Sequence, residues 1–141
     1  MEKLNWRRLL LGGVAAGAVL IILASASSAL LMAQPSLGRA LHAFRPFSSG
    51  LGEAVFSVFV FVFLGVIMTW CYAALRPRFG TGPKTAAIAA FTVWLILAGQ
   101  MLISVAVSEV TPSLPPGPML PMLYLAIIIA GTEAGAFIYT E

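Results

Sequence analysis

"LRPRFGTGPKT", residues 75–85, is the most polar run in an otherwise apolar chain, with three cations, two prolines and two glycines. Pro77 disfavours the α conformation at Arg76 and predicts that a preceding helix ends there, while Gly80 and Gly82 let the backbone turn through positive φ. Pro83 suits the first position of a following helix, with Gly82 or Thr81 as its cap. The run therefore reads as a stiff hairpin between antiparallel helices. A nucleotide-phosphate loop would need G-x-x-x-x-G-K-[ST] after a strand, with free backbone N–H groups. Here no strand precedes, the spacing differs, and Pro83 removes an N–H just before Lys84. Attraction to anionic lipid headgroups, about 1 kcal/mol per cation, is reason enough for Arg76, Arg78 and Lys84.

On either side of this hairpin the chain is greasy. It has 141 residues, 60% hydrophobic and 9% charged, with mean hydropathy +1.00. A helix needs about 20 apolar residues to cross a hydrocarbon core of about 30 Å. Four such runs occur, Leu9–Ala33, Gly52–Leu75, Thr85–Ser108 and Met119–Tyr139, and the segments between them are too short for a soluble domain. They are continuous and longer than the alternating segments of roughly 10 residues used by transmembrane β-barrels. The expectation is one all-α domain over residues 1–141, an integral membrane four-helix bundle.

The formal net charge of +3 does not point to nucleic acid, because the cations sit at the ends of the runs. Lys3, Arg7 and Arg8 precede the first run and Arg76, Arg78 and Lys84 lie in the hairpin, against Arg39 and Arg45 on the other side. By the positive-inside rule both termini and the hairpin are expected in the cytoplasm. The basic start, apolar run and small residues at Ala24–Ala26 imitate a secretory signal, but the apolar run continues through "SSALLMA" and reads as an uncleaved helix. Cys71 is the single cysteine. It reads as a small apolar filler.

Three segments, "NWRRLLLGGVAAG", "YAALRPRFGTGPKTA" and "AGAFIYTE", resemble a group of small bacterial four-helix membrane proteins to which no activity is assigned. The resemblance covers both ends and the central hairpin. It implies a bacterial source and a four-helix fold, and it brings no catalytic residue; with the charge pattern above, a multi-pass place in a bacterial inner membrane is expected. Members of that group often carry a carboxylate in the first helix, whereas this chain has none between Leu9 and Ala33.

Within the apolar runs, close packing of small residues is expected to hold the helices together. "GVAAG" places Gly13 and Gly17 on one helix face, and "GTEAG" does the same for Gly131 and Gly135. Those faces are expected to meet each other or a partner. Glu133 is the sharpest single residue, because a charged carboxylate at depth costs about 2.5 to 3.5 kcal/mol on insertion scales. It is expected about 10 Å deep, level with Thr69 and Thr92, protonated and hydrogen-bonded to one of their hydroxyls. Gly131 and Glu133 are about 200° apart around a helix, so this helix is expected to touch protein on both sides. A proton or cation site at Glu133 is the functional alternative. Gln100, Ser25 and Ser28, toward the other side of the membrane, are neutral.

Beyond the first run, "SLGRALHAFRPF" spaces Leu37, Leu41 and Phe44 as a short amphipathic helix on the outer surface. His42, the single histidine, could reach a haem iron or a chlorophyll magnesium, against the plainer reading of an interfacial polar residue. No cofactor is required by the sequence, though bound lipid is expected. His42, Glu53 and Glu109 would be the pieces of a hydrolase centre, but no motif supplies a nucleophile. One Cys and one His do not build a familiar zinc site. The sequence thus points to a non-catalytic accessory subunit of a larger bacterial membrane complex, respiratory or photosynthetic. Its partners would be lipids and other subunits or its own copies, with no nucleic acid. The alternative is a small homo-oligomeric transporter or channel using Glu133.

Overall fold

The computed structural model describes residues 5–32, 50–107 and 119–140. Four helices account for nearly all of them: α1 (Trp6–Met32), α2 (Leu51–Phe79), α3 (Pro83–Val107) and α4 (Met119–Thr140). Among the described residues three stretches are long and apolar enough to cross a membrane, Trp6–Ser27, Ala54–Phe79 and Met122–Tyr139.

Helix ends follow local chemistry more than apolar content. α1 begins ahead of its apolar run because Asn5 caps it: its Oδ1 accepts from the Arg8 N–H at 3.3 Å and its carbonyl from the Leu9 N–H at 2.9 Å. Pro77 does not end α2, contrary to the expectation from sequence, and lies inside its last turn. So close to the end, its missing N–H removes only one hydrogen bond. The turn still closes through the Gly80 N–H, which donates to the Arg76 carbonyl at 2.9 Å. The break comes at Gly80, whose φ of 80° is a conformation that glycine adopts without strain. α3 then starts on Pro83, with the Gly82 carbonyl accepting the first helical bond from Ala86 at 3.2 Å.

The helices pack through stripes of small residues. On α1 the buried stripe is Leu9, Gly12, Gly13, Ala16, Gly17 and Leu20, spaced three and four apart as one helix face requires. Its contacts divide between two neighbours. A Cβ on Gly13 would lie 2.7 Å from the Val66 Cα and one on Gly17 2.7 Å from the Val62 Cα, so that edge presses on α2. A Cβ on Gly12 would lie 2.7 Å from the Gly135 carbonyl oxygen, so the other edge presses on α4. The two glycine faces singled out in the sequence therefore do not meet each other. Gly13 and Gly17 face valines and Gly65 of α2, and α4 receives Gly12 and Ala16 instead.

Both α1 pairings run antiparallel, since residue numbers rise on one helix as they fall on the other. α3 covers α2 and α4 with Ala86, Ala89, Ala90 and Val93. Leu9, Tyr72, Ala86 and Tyr139 share one buried cluster. The start of α1, the α2–α3 hairpin and the end of α4 therefore gather at one end of the bundle. Arg7, Arg8, Arg76, Arg78 and Lys84 lie at that same end. Arg76 places its guanidinium 5.9 Å from the centre of the Tyr139 ring, which itself meets Tyr72 edge-on at 6.3 Å.

Candidate functional site

Where the hairpin folds down over the bundle it leaves a cleft of about 360 Å³. The loop supplies Thr81, Gly82 and Pro83, and Ala86 follows one turn into α3. Tyr72 of α2 forms part of the wall, and α4 contributes Glu133, Ala136 and Phe137. Two hydrogen bonds set the shape of this loop. The Gly82 N–H donates to the Tyr72 hydroxyl at 3.4 Å, and the buried Thr85 hydroxyl donates to the Gly80 carbonyl at 2.8 Å. The cleft is thus a built feature of the hairpin, walled by two aromatic rings and a carboxylate.

This arrangement corrects the surroundings expected for Glu133. The Thr69 hydroxyl donates to the Gly65 carbonyl at 3.0 Å and that of Thr92 to the Ile88 carbonyl at 2.9 Å. Both are spent within their own helices, as threonines in apolar surroundings commonly are. Thr69 is fully buried against Gly135, while Glu133 is exposed on another face of α4. Thr92 lies nine residues along α3 from Pro83, about 13 Å away along the axis. Glu133 is thus a neighbour of the hairpin and not a member of a buried hydroxyl pair.

Nor does α4 bury both sides against the described helices. Its buried stripe is Ile127, Ile128, Gly131, Thr132, Gly135, Ala136 and Tyr139, whereas Met122, Ala126, Glu133 and Phe137 form an exposed one. A Cβ on Gly131 would lie 3.0 Å from Leu20 and 3.3 Å from Met68, and one on Gly135 2.5 Å from the Thr69 hydroxyl. The glycines mark the packed face and the glutamate the open one.

The remaining candidates are scattered. Gln100 is exposed about 25 Å along α3 from Pro83, and Ser25 is exposed on α1. Cys71 is half-buried among residues of the core. His42, Arg39, Arg45, Lys3 and Glu109, the surface helix expected over 36–47, and the side chains of Glu53 and Ser28 lie outside the described residues. Among the described residues, no group of three or more His, Cys, Asp or Glu could hold a metal ion. Sequence reasoning named Thr81 only as a possible helix cap, and passed over Tyr72 and Phe137. The first two become neighbours only when the hairpin closes, and Phe137 shows only as a residue one turn beyond Glu133.

No family model, curated protein or solved structure matches this chain.

Proposed function

We propose that this chain is a four-pass protein of a bacterial inner membrane, with both termini in the cytoplasm, that serves as a non-catalytic accessory subunit of a larger membrane assembly. Collecting Arg7, Arg8, Arg76, Arg78 and Lys84 at one end of the bundle supports this orientation, since cations favour the cytoplasmic side. The subunit reading is carried by the first part of α2. From Leu51 to Val60 every described side chain is exposed, around the whole circumference of the helix. These are almost three turns of exposed helix. They bear Val55, Phe56, Val58 and Phe59, and Phe59 stacks on Phe63 with ring centres 6.3 Å apart. Rigid aromatic ridges of this kind supply large contact area at low conformational cost. A respiratory or photosynthetic complex is the assembly this reading has in view.

The test is gentle extraction from native membranes, then sizing, mass spectrometry and an absorption spectrum. Co-migration with larger subunits is the expected result, and a small oligomer containing only this chain would overturn the reading. A homo-oligomeric transporter is the second reading, favoured by the exposure of Glu133 on a cleft. Glu133→Gln separates them: an accessory subunit assembles normally, whereas proton-linked uptake into vesicles is abolished.

A further inference from the structure

We infer that the cleft beside Glu133 binds the headgroup of a zwitterionic phospholipid carrying a primary ammonium. At about 360 Å³ it falls within the range of about 300 to 1,000 Å³ typical of small-ligand sites. Its shape is held by the bonds from Gly82 to Tyr72 and from Thr85 to Gly80. The site is formed before a ligand arrives.

Charge decides the ligand class. Glu133 is the acid of the cleft, and Phe137, one turn further along α4, adds a ring face of the kind that attracts ammonium groups. Around this end stand Arg7, Arg8, Arg76, Arg78 and Lys84, the last directly after Pro83 of the cleft wall. A simple organic cation, or a basic side chain from another protein, would meet that positive surplus. A purely anionic headgroup would suit the cations but would face Glu133. A zwitterion answers both, its ammonium donating to Glu133 and its phosphate lying toward Lys84. The exposed face of α4 continues from the cleft through Ala126 to Met122, an apolar track along which acyl chains can lie. A soluble zwitterion has no use for that track.

The test uses the purified full-length chain, apart from any partner, so its failure and that of the subunit reading are distinguishable. Native mass spectrometry would compare retention of phosphatidylethanolamine, its N-trimethyl analogue phosphatidylcholine, and phosphatidylglycerol, all with the same acyl chains. Phosphatidylethanolamine should be held about tenfold more tightly than phosphatidylglycerol, as one charge-assisted hydrogen bond implies. Glu133→Gln should erase that preference and Glu133→Asp should keep part of it. Lys84→Gln should weaken all three lipids together. Equal retention of phosphatidylethanolamine and phosphatidylglycerol by the native chain, or an unchanged preference in Glu133→Gln, would overturn the proposal. Equal retention of phosphatidylcholine would overturn the ammonium assignment, and this arm needs no variant.

Discussion

Gly65 and Gly99 are both glycines inside helices, yet their surroundings oppose each other. A Cβ on Gly65 would collide with the Gly13 carbonyl oxygen and lie 2.6 Å from the Gly17 backbone nitrogen, and neither group can rotate away. Gly65→Leu should therefore wedge α1 from α2, at a cost of about 1 to 3 kcal/mol or more, typical of overpacking. Thermal melting of the purified protein in detergent would show it as a lowered midpoint, and an unchanged melt would contradict the close helix contact. Around Gly99 no atom lies within 4 Å of the added carbon. Gly99→Ala should be neutral or stabilise by up to about 1 kcal/mol, through the lower backbone entropy of alanine. Sequence alone ranks these two positions alike.

At the scale of the element, the hairpin is the segment most fully legible in the sequence and also the one where reading failed at a single residue. Its glycines, the start of α3 at Pro83 and the antiparallel return follow from backbone rules that act over a few residues. Pro77 misleads because a residue-level preference against α at Arg76 is outweighed by continuation of the last turn to the Gly80 bond. Thr85 is the second anchor. Thr85→Val removes the donor to the Gly80 carbonyl in a buried place and should cost about 1 kcal/mol. It should also loosen the cleft, read as faster proteolysis between Phe79 and Pro83. Gly80→Ala must hold an alanine at φ 80° and should cost about 1 to 2 kcal/mol in the same melt.

Over the whole molecule, the shared end of the α1 start, the hairpin and the α4 end makes one prediction of topology. With Cys71 replaced by Ala, single cysteines introduced as Asn5→Cys and Thr81→Cys should react with a membrane-impermeant maleimide from the same side of sealed vesicles. Labelling from opposite sides would break the arrangement of α1 against α2. Residues 51 to 60 of α2 give a second whole-molecule prediction. Paired exposed-face changes, Phe56→Ala with Phe59→Ala, should leave the melt of the isolated protein within about 0.5 kcal/mol and abolish co-migration with larger subunits. A substantial loss of intrinsic stability would place those rings in the chain's own core instead.

The amino-acid sequence by itself determined that this is a helical, membrane-compatible chain, where the four described helices run to within a few residues, and which segment turns between the second and third. Those properties are local or additive: apolar length, capping and backbone preference depend on residues within a turn or two of one another. Tertiary structure alone decided that Gly13 and Gly17 face Val62 and Val66, that Gly12 meets Gly135, and that Glu133 joins Tyr72 and Phe137 on a cleft under the hairpin and not a buried threonine. The physical reason is rotational. α1 and α4 each carry small residues on more than one face, and which face turns inward is set by the simultaneous fit of the described helices, a sum over contacts that no single helix contains.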